Sequence, residues 1–207
     1  MSGPKARLRP DEGVSLVEML IAMLIALVVG GVAMQSVVAN LQSQRRLTDQ
    51  TRVLTDAKVA LERMTRDLRG ANPLDAAGPA AATMSIVRAG QRRTVSYWLC
   101  PTGVVCALSA ATPAGTQLIA DERTRNVTTG AVVADPPAQV LLTGVAMPAG
   151  VGTFRYSQAD GTALTGTLTP AQLANVRLVT ARVRVPIGPA TNAVDLENQI
   201  MLRNAGG

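Results

Sequence analysis

The chain has 207 residues, a net charge of +6 from 20 basic and 14 acidic side chains, and no histidine. That absence excludes Ser-His-Asp and Cys-His catalysis. Aromatic residues are 2% of the chain, so its core must come from Val, Leu, Ile, Ala and Met, and Tyr97 and Trp98 read as core packing rather than a base-stacking platform. The length suits one domain with an appendage. The basic residues are scattered, with only isolated pairs at Arg45-Arg46 and Arg92-Arg93, which reads as a solvated surface more than a nucleic-acid face.

Residues 1–13, MSGPKARLRPDEG, form a short polar leader with Lys5, Arg7 and Arg9. Basic residues ahead of an apolar run hold that side in the cytoplasm, so the remainder is exported. From Val14 to Ala39 the one charged residue is Glu18. A helix over this run is roughly 39 Å long, enough to cross a hydrocarbon core of about 30 Å. A carboxylate in such a segment needs a reason. One is snorkelling at the interface. The other starts at Gly13: a cut after this small residue leaves Val14 as a new N-terminus, one helical turn from Glu18, whose carboxylate then pairs with the amine of a neighbouring chain. A secretory signal cut at Gly31-Val32-Ala33 competes with this, but its apolar region would be long and Glu18 would interrupt it.

Gly13, Glu18 five residues later and the apolar run behind them resemble the type IV pilin and type II secretion pseudopilin superfamily. The resemblance implies cleavage after Gly13 by an aspartyl prepilin peptidase, methylation of the Val14 amine, and registration of each incoming subunit by Glu18. It also implies other pilin or pseudopilin subunits, an inner-membrane assembly platform and membrane lipid as partners. The family usually has Phe where Val14 stands.

No proline interrupts residues 14–69. Gly30-Gly31 is the weak point of this helix, either a close-packing site for another helix or a place that unwinds on assembly. From Gln42 the pattern becomes amphipathic: Leu47, Leu54, Leu61 and Leu68 recur every seven residues, with Ala57 and Met64 between them. This stripe docks on the chain's own sheet or, alternatively, forms a coiled coil. Glu62–Arg66 and Arg63–Asp67 have i,i+4 spacing. The segment ALERMTRDLRGAN is similar to the corresponding stretch of PilW-type minor pilins and J-type minor pseudopilins. Gly70 and Pro73 end the helix.

Residues 70–82 read as a linker. Short apolar runs then predict strands at Met84–Arg88, Thr94–Leu99, Gln117–Ala120, Val140–Val145, Gly152–Gln158, Thr162–Leu168, Val176–Val185 and Ala193–Arg203. Asp160-Gly161 is a hairpin turn, Pro170 opens a short helical turn, and 121–138 is a long loop with room for a short hairpin. Cys100 and Cys106 lack zinc-site spacing. In an exported domain they suit a disulfide worth roughly 2 kcal/mol, with two reduced, buried thiols as the alternative. Asn126-Val127-Thr128 matches a glycosylation acceptor, a match too short to carry weight. No phosphate-binding glycine loop or calcium-loop spacing is present.

The expectation is an α+β, pilin-like chain without enzymatic activity, cofactor or metal: leader 1–13, transmembrane and filament-core helix 14–39, amphipathic continuation 40–69, and an exported β-rich head 70–207 in an antiparallel sheet. It is anchored once in the inner membrane and acts as a minor pilin or pseudopilin. The alternatives are a DNA-binding minor pilin of a competence pilus, with nucleic acid as partner, and a membrane-anchored exported domain that never polymerises.

Overall fold

The computed structural model describes residues 15–71, 74–103, 105–187 and 192–202. One helix, α1, runs over Leu16–Gly70. Two compact units divide the chain at Thr48 and Asp49. In the first unit the helix is apolar and exposed. In the second, its last turns pack into a β-rich head.

The head has two antiparallel sheets, where the sequence had suggested one. The larger contains β1 (Leu74–Ala77), β2 (Ala81–Arg88), β3 (Gln91–Cys100), β4 (Gln117–Asn126), β5 (Val132–Ala134) and β6 (Gln139–Thr143). Its order is β1-β2-β3-β4-β5, with β6 also pairing β4. The smaller contains β7 (Phe154–Ser157), β8 (Ala163–Leu164), β9 (Leu178–Pro186) and β10 (Ala193–Met201) in the order β10-β9-β7-β8. A short helix, α2 (Pro170–Asn175), starts with Thr169 and Gln172 in a reciprocal capping box.

Ala57, Leu61, Met64 and Leu68 of the helical stripe are buried in the core with β2, β3, β4, β7, β9 and β10, and Leu54 packs partly buried against it. From Leu54 onward, therefore, the stripe docks on the chain's own sheets. Leu47 remains 60% exposed. The i,i+4 pairing expected of Arg63 and Asp67 is replaced by contacts with the sheet, and among the described residues Glu62 and Arg66 make no ion pair. Along β9 the alternation is strict: Val179, Ala181, Val183 and Val185 face inward, as a half-buried strand requires.

Two segments differ from the sequence reading. The supposed linker contains β1, where Leu74 and Ala77 are buried against β2. The segment LDAA has little strand propensity, and tertiary burial decides its conformation. The supposed loop after Ala120 is the continuation of β4. It turns after Asn126, whose side-chain oxygen accepts from the Thr128 and Thr129 amides at 2.9 and 3.0 Å, and returns as β5. Asp160-Gly161 does turn β7 into β8, with Gly161 at φ +85°, although β8 is only two residues long.

The two sheets are tied near Gly78–Ala81. The Phe154 amide donates to the Pro79 carbonyl at 3.3 Å, and the buried Tyr156 hydroxyl reaches the Gly78 and Ala81 carbonyls at 3.2 Å. This approach leaves no room at Gly152, where an added Cβ would lie 2.6 Å from Pro79 Cβ and 2.7 Å from its Cα. Gly152→Ala is expected to lower stability by about 1–3 kcal/mol through overpacking. Gly78→Ala, whose nearest neighbour would be Thr167 Oγ1 at 3.7 Å, should stay within about 0.5 kcal/mol of wild type. Urea unfolding followed by the fluorescence of buried Trp98 compares the two.

Candidate functional site

The first turn of α1 is built by Ser15 and Glu18. Ser15-Leu16-Val17-Glu18 spells the S-x-x-E pattern of a helix start. The Ser15 hydroxyl accepts from the Val17 amide at 3.3 Å, and the Ser15 carbonyl accepts the first helical bond, from Met19, at 3.1 Å. Glu18 is the acidic residue of that turn, where a carboxylate also complements the helix dipole. Gly13 and Val14 lie outside the described residues, so of the proposed cleavage, methylation and registration residues the structure places Glu18.

Behind it, residues 16–41 are exposed throughout, with Leu16 at 78% and Leu27 at 77%. The most apolar window of this helix has a mean hydropathy of 2.5, and none of it is buried within the chain. A continuous apolar surface of this kind requires lipid or other apolar helices to cover it. Gly30 and Gly31 are helical, and a Cβ at either would meet nothing within 4 Å. They leave open space for a neighbouring helix.

The head carries a polar cluster that the sequence reading did not single out. Asp67 of α1 is buried at 4% exposure. It accepts from Arg93 Nη1 at 2.9 Å and from the Tyr97 hydroxyl at 2.5 Å. Arg93 also holds Glu122 through two parallel bonds, Nε–Oε1 at 2.6 Å and Nη2–Oε2 at 2.8 Å, and Arg63 approaches Glu122 at 3.5 Å. The bidentate bond to Arg93 holds the Glu122 carboxyl below its usual range. Burial, then the bond to Asp67, pushes the Tyr97 phenol up. The cluster fastens α1 to β3 and β4. Its signal in the sequence was Asp67 itself, three residues after Met64 and adjacent to Leu68 on a stripe that is otherwise apolar.

On the opposite face of the larger sheet, Cys100 and Cys106 are joined as a disulfide. The Trp98 indole N–H donates to the Cys106 carbonyl at 3.1 Å, so the bridge and the indole fix one loop. This loop and residues 135–138 wall a groove of about 740 Å³ floored by Thr94, Ser96, Trp98, Asp121 and Arg123. Its charges are already paired, with Arg123 Nε at 3.0 Å from Asp121 and 3.4 Å from Asp135. Tyr97 and Trp98 are both buried, as core residues. Among the described residues, no three His, Cys, Asp or Glu side chains converge as a metal site.

A long apolar N-terminal helix followed by antiparallel sheets is an α+β, pilin-like architecture. The family model for the prokaryotic N-terminal methylation motif matches residues 8–34, which include Gly13, Val14 and Glu18. That match supports a type IV pilin-like protein processed as a prepilin, anchored in the membrane and assembled with other pilins, in a family that is structural. No curated protein matches the chain.

Proposed function

We propose that this chain is a minor pilin or pseudopilin, a structural and non-enzymatic subunit of a type IV pilus or a type II secretion pseudopilus. A prepilin peptidase cuts after Gly13 and the Val14 amine is methylated. The leader faces the cytoplasm and the head is exported. An inner-membrane platform then moves the apolar helix from lipid into a filament core, where Glu18 sets the register against a neighbour's amine. The observation that carries this reading is the wholly exposed apolar helix directly behind the matched motif. The similarity of ALERMTRDLRGAN to PilW-type minor pilins and J-type minor pseudopilins favours a minor subunit.

Intact-mass and N-terminal peptide analysis of the protein from its own host tests the processing step. The expected species begins at a methylated Val14. A terminus at Met1 would overturn the prepilin reading, and a terminus after Ala33 would favour a secretory signal. The non-polymerising alternative predicts correct processing with none of the chain in sheared filaments.

A further inference from the structure

We propose that β10 is a docking edge that receives an extended basic strand from a neighbouring pilin-like subunit, extending the smaller sheet from four strands to five. The proposal rests on the filament reading above.

β10 is the end strand of its sheet and pairs with β9 in one unbroken register from Ala193↔Pro186 to Met201↔Leu178. Two bonds at its ends set the hydrogen-bond phase: Ile187 donates to the Asn192 carbonyl at 2.7 Å, and Leu202 donates to the Arg177 carbonyl at 2.9 Å. In an antiparallel ladder, bonded and non-bonded pairs alternate, so the even-numbered residues of β10 bond to β9. Ala193, Asp195, Glu197, Gln199 and Met201 turn both N–H and C=O the other way. Among the described residues, none of these backbone groups has a hydrogen-bond partner.

Protein edges are ordinarily blunted by shortness, bulges, proline or lysine. The other edges of this head follow that rule. β1 has four residues and a register break, β5 has three and a break, and β8 has two. β10 has nine residues, no break, no proline and no lysine. Such an edge is a template for strand addition.

Its charges select the occupant. Asp195 is held by Arg182 at 2.8 Å, whereas Glu197 is exposed and makes no ion pair among the described residues. An antiparallel pairing with β10 of a second copy, centred on the strand, would set Asp195 or Glu197 against a like charge, which is unfavourable. A strand with Lys or Arg directly opposite Glu197 is complementary, because residues opposite the odd positions share their face of the sheet.

The test uses the full chain in its host, with a benzoylphenylalanine photo-cross-linker at Gln199 and adducts read from sheared filaments. The expected adduct joins Gln199 to a basic strand segment of a second pilin-like subunit. Glu197→Pro removes one outward N–H without touching the β9 ladder, and Glu197→Lys reverses the charge. Each should lower the adduct at least tenfold with the head's melting temperature unchanged. If Glu197→Pro destabilises the head, Glu197→Lys alone decides. Wild-type adduct in the deciding variant, no adduct in filaments that contain the chain, an adduct to a second copy of this chain, or an adduct to nucleic acid would each overturn the edge proposal and leave the filament reading standing. Absence of the chain from sheared filaments would overturn both.

Discussion

Glu18→Gln is expected to reach wild-type abundance in the membrane, to be cleaved after Gly13, and to be lost from filaments by roughly a hundredfold. The substitution separates two roles that the geometry superimposes. Ser15 and Glu18 occupy the S-x-x-E positions at the start of α1, and the Ser15 hydroxyl accepts from Val17. Glutamine serves at the fourth position of that pattern as well as glutamate, so helix initiation is preserved. What disappears is the charge. In the proposed filament core the partner is the amine of a neighbouring Val14, and removing one member of a buried ion pair costs about 3–5 kcal/mol because the other is left unpaired. At about 1.4 kcal/mol per tenfold, even the lower figure gives the stated loss. The measurement is the ratio of filament to membrane protein in sheared fractions, at equal membrane abundance. Equal incorporation of Glu18→Gln and wild type would return Glu18 to the interface as a snorkelling carboxylate. Equal incorporation with a defect in Glu18→Ala would leave the helix cap as its role.

Asp67→Ala is expected to destabilise the head by about 2–4 kcal/mol, less than the full effect of breaking a buried ion pair because Arg93 keeps Glu122. Tyr97→Phe removes one donor to the same carboxylate and should cost about 1–2 kcal/mol. The double variant should fall short of the sum, since both changes break the 2.5 Å bond between Tyr97 and Asp67. The same cluster sets the pH response. The folded carboxyl of Glu122 lies below its ordinary value of 4.5. Its contribution is therefore complete above that value and is lost as pH falls through the lower folded value. Glu122→Gln should flatten this acid limb. Tyr97 runs in the other direction: its folded phenol is raised above 10.0, so stability declines once the pH exceeds the unfolded value. Urea midpoints across the acid range for wild type and Glu122→Gln, and above pH 10 for wild type and Tyr97→Phe, measure both limbs. An acid limb unchanged in Glu122→Gln would remove this cluster as its source.

The motif and the apolar run were legible in the sequence because their physics is local. Twenty-five residues with one charge cannot be a surface helix, and Gly13, Val14 and Glu18 stand at a spacing that needs no tertiary partner to be read. The heptad of leucines also announced which helical face would be buried, and Ala57, Leu61, Met64 and Leu68 are buried. The strands with strong alternation, such as β9, were found for the same reason, and so was the Asp160-Gly161 turn. Tertiary structure decided the rest. β1 exists because Leu74 and Ala77 find a buried surface beside β2, and nothing in LDAA requires it. Asp67 looked like a surface acid paired along its own helix. It is buried because Arg93, Tyr97 and Glu122, brought from strands 26 to 55 residues away, supply the bonds that a buried carboxylate needs. The open edge of β10 is likewise invisible in its residues, since a strand becomes an edge only when the order of the sheet leaves it with a neighbour on one side.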